Sequence, residues 1–132
     1  MEGIKNLNKL LKGMNPELIE GEYVFCTLPG KQSEKLKDHA ILVYKEKEGV
    51  TLILKRKIAD DNSLQYSGVW ALITLTVHSD LSAVGFLARI TQKLAEAGIS
   101  VNAVSAYYHD HLFVPAEKAG EAVEVLKNIS KQ

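Results

Sequence analysis

Residues 69–77 follow a period of two in which one side is wholly apolar and the other mixes apolar residues with threonine. Every odd-numbered position of this segment is apolar. A period of two with one wholly apolar side is typical of a β-strand that buries one face. Beyond the strand, apolar residues recur three and four positions apart, which predicts an amphipathic helix over residues 82–97 that ends at Gly98.

Strand patterns return after this helix. Residues 99–106 and 112–114 have β character, and the polar segment 107–111 between them predicts the tip of a β-hairpin. A last helix is predicted from Pro115 onward, because apolar residues again recur at helical spacing. The C-terminal half is therefore β-α-β-β-α, with no obvious last strand.

The N-terminal half has weaker patterns, and its polar segment 58–67 is the most loop-like part of the chain. We place a boundary in this segment, which divides the chain into residues 1–65 and 66–132. The predicted elements of the first half are a short amphipathic helix between Ile4 and Met14, a strand at 22–28, a loop or single helical turn at 31–38, and a hairpin of strands 40–45 and 50–55.

The composition of the chain excludes several classes of function. The 132 residues include 16 basic and 16 acidic side chains, so the chain lacks the positive charge with which nucleic-acid-binding domains recognise phosphate. The single cysteine, Cys26, cannot form an internal disulfide, which fits a reducing compartment. No apolar run approaches the roughly 20 residues of a membrane span, and no signal-peptide core is present. We expect a cytoplasmic protein with no nucleic-acid or membrane partner.

No motif in the sequence indicates catalysis. The chain has no glycine-rich phosphate loop and no nucleophile elbow. We therefore expect no cofactor and no enzymatic activity.

Three features of the C-terminal half occur together. They are Gly85 in the first turn of the helix, the junction AGISV at residues 97–101, and a hairpin that runs from Ser105 through Asp110 to Val114. This combination resembles the ACT domain, the small amino-acid-sensing module attached to aspartate kinases and many biosynthetic enzymes. The whole chain resembles stand-alone bacterial ACT-domain proteins in which a degenerate N-terminal half precedes a more typical one.

The resemblance implies an α+β, ferredoxin-like fold in tandem ACT-like halves. Its antiparallel sheet has the order 4-1-3-2, with both helices on one face, so the loop before the helix meets the hairpin tip at one edge. It further implies a non-enzymatic regulatory protein that binds a small amino acid at this edge, with the carboxylate in the loop and the ammonium group at the tip. The ligand-binding residues that it implies are Ser79, Asp80, Leu81, Ser82, Ala83, Val84, Gly85 and Asp110.

Each part of this site also has a purely structural interpretation. Unpaired N–H groups at the start of a helix bind a carboxylate, but a helix cap from Ser79, Asp80 or Ser82 explains the same residues. Asp110 suits an α-ammonium group, yet aspartate is also common in hairpin turns. Under the ligand hypothesis, a bulky residue at Gly85 is expected to abolish binding and to leave thermal stability nearly intact.

The sheet face opposite the helices is predicted to carry apolar residues that another surface has to cover. Trp70, Leu72 and Val104 are predicted to lie there, where an isolated module exposes them to water. We expect either shielding by the N-terminal half or a symmetric homodimer. A separate partner protein is expected to receive any regulatory signal.

Two other hypotheses remain open. In the first, the ACT-like domain has lost its ligand and only dimerises or docks on a partner, as a structural or interaction domain. In the second, a metal protein or small enzyme uses His78, His109 and His111, although no cysteine or glutamate stands at a recognised ligand spacing from them. The predicted site includes no metal.

Overall fold

The computed structural model describes residues 3–131, which form two compact units. The first unit contains the residues up to Glu20 together with those from Ala71 onward, and the second contains Gly21–Trp70. The elements in chain order are α1 (Leu7–Gly13), β1 (Pro16–Leu28), α2 (Gly30–Glu34), β2 (Leu42–Lys45), β3 (Val50–Lys55), α3 (Arg56–Asp61), β4 (Trp70–Leu75), α4 (Phe86–Glu96), β5 (Asn102–Ser105), β6 (Asp110–Pro115) and α5 (Ala119–Ser130). Short 3₁₀ turns occupy Lys37–His39 and Ala116–Lys118.

The strands follow the order β2-β3-β1-β4-β6-β5 along their hydrogen bonds. Within the first unit, the order β1-β4-β6-β5 is the predicted order 4-1-3-2, so the prediction of an α+β, ferredoxin-like fold is confirmed. The start of β1 fills the place of the last strand that the C-terminal half lacks. The carbonyl of Asn15, just before β1, accepts hydrogen bonds from the amide and the hydroxyl of Thr76, at 3.3 and 3.0 Å.

The core of the first unit lies between the sheet and the helices α1, α4 and α5. Ile73 in β4 and Leu112 in β6 are fully buried on the sheet side. Leu10, Leu94 and Leu126, one from each helix, are fully buried opposite them. Burial of each such side chain contributes about 1.5–3 kcal/mol. The helices therefore pack on one face of the sheet, as predicted.

The sheet face opposite the helices, which we expected to be covered by the N-terminal half or by a second copy, is largely buried in the described chain. Leu72 is only 2% exposed, while Trp70 and Val104 are half-buried. The burial of Leu72 is complete within one chain, so it does not require a second copy.

The second unit contains the predicted hairpin. β2 and β3 pair antiparallel from Leu42 opposite Ile53 to Lys45 opposite Val50. Cys26 in β1 is 4% exposed and belongs to the apolar core of this unit. Burial raises the pKa of the Cys26 thiol, which fits a structural role for the side chain.

Three elements differ from their predicted limits. The segment predicted as loop at 58–67 starts as α3, because Ala59 is fully buried and Lys57 pairs with Asp61 one turn later, at 3.1 Å. β1 begins at Pro16 rather than at residue 22, since the strand continues through Gly21. The helix predicted over 82–97 begins only at Phe86.

The compact units do not coincide with halves of the sequence. α1 packs against α4 and α5 and so belongs to the first unit. The predicted division into residues 1–65 and 66–132 concerns the sequence halves and stays a prediction.

The described helices are short. The longest of them, α5, spans 12 residues. Within residues 3–131, no helix combines the length and the apolar character that crossing a bilayer demands.

Candidate functional site

The loop between β4 and α4 owes its shape to Gly85. This residue has φ +90° and lies in the left-handed region, which residues with a Cβ adopt only at a cost. The helix therefore begins one residue later, at Phe86. No side chain caps this start, so the first-turn N–H groups are available to a ligand.

Asp110 lies opposite this loop, at the start of β6. Its Oδ2 accepts a 2.9 Å hydrogen bond from the Ser79 hydroxyl, and its Oδ1 accepts a 2.7 Å hydrogen bond from the Ser105 hydroxyl. The predicted meeting of the loop and the hairpin is therefore present in the structure.

The Asp110 carboxylate is buried without a cation. Asp110 is 5% exposed, and no lysine, arginine or histidine of the described chain forms an ion pair with it. Two hydroxyl donors compensate part of the lost hydration, but a buried carboxylate gains most from a positive partner. The site therefore favours a cationic group at this position.

A cavity of about 150 Å³ in the first unit is lined both by Asp110 and by the start of α4. Its walls combine the buried carboxylate with the open first turn of α4, so one cavity offers groups for a positive charge and for a negative charge. The lining residues are Ser79, Asp80, Leu81, Ala83, Gly85, Phe86, Leu87, Ala88, Ser105 and Asp110.

Six of the eight predicted ligand-binding residues line this cavity. Ser82 and Val84 do not: Val84 is 83% exposed, and the Ser82 amide donates a 2.9 Å hydrogen bond to Asp80. The Ser82 hydroxyl also donates to Asp80. The roles of all eight residues in binding stay predictions.

Asp80 organises the loop locally. Hydrogen bonds from the Ser82 hydroxyl and amide hold the pKa of its carboxyl below the usual value, and Lys5 and the Gly3 N–H act in the same direction. Asp80 therefore stays ionised at neutral pH and stabilises the loop through its hydrogen bonds with Ser82.

The cavity also includes residues that were not predicted. Ser105 was part of the hairpin motif, but its pairing with Asp110 depends on the strand register, which puts these two residues opposite each other. Phe86, Leu87 and Ala88 enter the site because α4 begins later than predicted.

The histidines lie in aromatic contacts beside the hairpin tip. The ring centroids of His78 and Tyr108 are 5.2 Å apart, and those of His109 and His111 are 6.3 Å apart. His111 Nδ1 lies 2.9 Å from the Thr74 hydroxyl. Residues 3–131 contain no group of three side chains that could hold a metal ion.

Comparison with known sequences shows the family. Two ACT-domain family models match the chain, one over residues 2–71 and one over residues 69–128. The chain belongs to the ACT domain family. The matches also confirm the predicted tandem arrangement of ACT-like halves. Comparison with curated proteins gives no match.

Solved structures agree with this assignment. A Vibrio cholerae protein of unknown function, described as a possible transport protein, is 48% identical, with a TM-score of 0.85 over 97% of this chain and 98% of that one. An Agrobacterium tumefaciens protein is 16% identical, with a TM-score of 0.71 over 89% of each chain. The ligand-free regulatory subunit of aspartate kinase from Thermus thermophilus is 13% identical, with a TM-score of 0.68 over 89% of this chain and 98% of its own. The last two comparisons show the fold alone.

Proposed function

We propose that this protein is a ligand-sensing regulatory protein that binds a small amino acid in the cavity beside Asp110. The observation that carries the proposal is the Asp110 carboxylate, which is buried, held by two serine hydroxyls and unpaired with any cation of the described chain. An α-ammonium group supplies the missing charge and donates charge-assisted hydrogen bonds to the carboxylate.

The other charge of an amino acid suits the start of α4. The helix has 11 residues and no side-chain cap, and its dipole favours a negative group at this end. Gly85 has no side chain to keep a carboxylate away from these amides. A zwitterion therefore finds a complement for each of its charged groups in one cavity.

The size of the cavity favours a small ligand. Its volume of about 150 Å³ is well below the roughly 300 Å³ at which pockets for drug-sized molecules begin.

ACT domains generally bind small amino acids and assemble into oligomers, so we include a homodimer and a separate partner protein in the proposal. A cytoplasmic location stays a prediction. In the alternative, an ACT-like interaction domain docks on a partner without ligand.

A thermal-shift screen against the twenty amino acids tests the proposal. A ligand at a hundredfold excess over its Kd adds about 2.7 kcal/mol to the free energy of unfolding, which raises Tm by several degrees. We expect one or a few amino acids to give this shift and Asp110→Asn to abolish it.

Asp38→Asn is the matched control, because Asp38 is exposed and does not line the cavity. It is expected to keep the shift. If no amino acid stabilises a well-folded wild-type protein, the sensor proposal is wrong and the interaction domain is favoured.

A further inference from the structure

The ligand loop is attached to the N-terminal end of the described chain. The amide of Ile4 donates a 2.8 Å hydrogen bond to the carbonyl of His78, and the carbonyl of Ile4 accepts a 2.9 Å hydrogen bond from the amide of Asp80. The two bonds form a parallel bridge between Ile4 and Ser79. Ser79, whose hydroxyl holds Asp110, is thus fixed between two backbone hydrogen bonds.

Gly3 leaves no space between this N-terminal segment and the loop. A methyl group added at Gly3 would lie 2.6 Å from the Asp80 nitrogen, 2.8 Å from the Ser79 carbonyl carbon and 2.9 Å from the His78 oxygen. All three are backbone atoms, so no side-chain rotation relieves the overlap. The requirement for glycine at this position is therefore steric.

The same segment also reaches the other end of the loop. Asn6 caps α1 by accepting a hydrogen bond from the Lys9 amide at 3.0 Å. In the first turn of this helix, a Leu7 methyl group lies 3.7 Å from the point where a side chain on Gly85 would begin. Residues 3–7 therefore contact the loop both where it holds Asp110 and where it opens α4.

We infer that Gly3 and Ile4 are positioning residues of the amino-acid site. They line no part of the cavity, but they hold Ser79 where its hydroxyl meets Asp110 and so fix the carboxylate for an ammonium group. The expected effect of Gly3 and Ile4 on amino-acid binding rests on the proposed function. Their expected effect on the position of the loop does not. One consequence is that a site within the second ACT match, residues 69–128, depends on residues of the first, residues 2–71.

Amide hydrogen exchange of the ligand-free protein, followed by NMR, tests the loop directly. The experiment compares Gly3→Ala with Gly120→Ala, a matched control in the same unit whose added methyl meets open space. We expect Gly3→Ala to speed exchange of the Asp80 amide at least tenfold. Exchange at Ile90 and Leu94, inside α4, is expected to stay within twofold of wild type, and Gly120→Ala is expected to leave the Asp80 amide unchanged.

Two exchange results in Gly3→Ala overturn the inference. The first is unchanged exchange at Asp80 in Gly3→Ala. The second is equally faster exchange at Asp80, Ile90 and Leu94, which indicates only a general loss of stability. If Gly3→Ala does not fold, Ile4→Pro decides instead, because it removes the N–H donor to His78; normal exchange at Asp80 in that variant also overturns the inference.

Binding affinity is the second measurement. It distinguishes a failure of the positioning role of Gly3 and Ile4 from a failure of the proposed amino-acid-binding function. The amino acid that most stabilises the wild type among the twenty is titrated into each variant by calorimetry. We expect its Kd to rise about tenfold or more in Gly3→Ala and to stay unchanged in Gly120→Ala; an unchanged Kd in Gly3→Ala contradicts the inference. If none of the twenty binds the wild type, the proposed function fails, and the exchange data still decide whether Gly3 and Ile4 position the loop.

Discussion

Ser105 and Asp110 lie directly opposite each other where β5 ends and β6 begins, and the Ser105 hydroxyl donates a 2.7 Å hydrogen bond to the Asp110 carboxylate. Ser79 donates to the other carboxylate oxygen from the loop before α4. The carboxylate is therefore fixed on both oxygens before any ligand arrives. Such preorganisation reduces the ordering cost of binding.

Loss of one of these donors is expected to destabilise the protein. Ser79→Ala removes a hydroxyl from a buried carboxylate, which typically costs about 1–3 kcal/mol. Ser100→Ala, at an exposed serine of the same unit, is expected to stay within about 0.5 kcal/mol of wild type. Chemical denaturation measures both. An equal effect of the two substitutions would show that the bond to Asp110 does not contribute to stability.

Substitution of Gly85 is expected to affect both amino-acid binding and the stability of the protein. The sequence alone suggested that a bulky residue here leaves stability nearly intact, but the positive φ of +90° makes most substitutions strained. Gly85→Ala is expected to cost about 1–2 kcal/mol in a denaturation experiment. The loss of binding in that variant therefore has to be separated from the loss of stability.

Asparagine separates the two effects, because it tolerates the left-handed region better than other residues with a side chain. Gly85→Asn is expected to weaken amino-acid binding at least tenfold in calorimetry. Gly98→Asn is the matched control, since Gly98 has φ +75°, open space around it and no part in the cavity. Equal affinities in the two variants would exclude the start of α4 from the site.

His111 makes stability depend on pH. Burial lowers its pKa from the ordinary value of 6.5, the nearby His109 lowers it further, and Asp110 opposes the shift. Between the lowered pKa and 6.5 the unfolded chain binds more protons than the folded one, so this contribution to stability is lost as the pH falls below 6.5. We expect His111→Gln to reduce the loss of stability between pH 7.5 and 5.5, measured by denaturation.

The control for this prediction is His39→Gln, because His39 is exposed. It is expected to keep the wild-type pH dependence. The assignment to His111 fails if both variants respond to pH as the wild type does.

The chain is expected to bind one amino acid, although it has two ACT-like halves. In the N-terminal hairpin, the last paired residues before the turn are Lys45 and Val50. The equivalent pair in the C-terminal hairpin is Ser105 and Asp110. A lysine and a valine at these positions provide no carboxylate for an ammonium group. Calorimetry is expected to give one site per chain, and two sites of similar affinity would contradict this reading of the N-terminal half.

Much of the fold could be predicted, because it depends on local periodicity and on strand order. The period of two in residues 69–77 locates β4, and the order 4-1-3-2 brings Ser79 close to Asp110 although they are far apart in sequence. The part of the site that follows from topology alone was therefore predicted.

Other parts of the site depend on backbone conformation and strand register, which cannot be predicted from this sequence. Whether Gly85 is helical or left-handed decides where α4 begins, and a glycine permits both. The partnership of Ser105 with Asp110 depends on hairpin register. The bridge between Ile4 and Ser79 is a single isolated pairing, so it leaves no periodic signal in the N-terminal segment.

A crystal structure grown with the best-stabilising amino acid at saturating concentration tests the central claim most directly. We expect the ammonium nitrogen to lie about 2.7–2.9 Å from an oxygen of Asp110, the distance of a charge-assisted hydrogen bond, with the carboxylate against the amides of Phe86, Leu87 and Ala88. An amino acid bound elsewhere, or an empty cavity at saturation, would contradict the account.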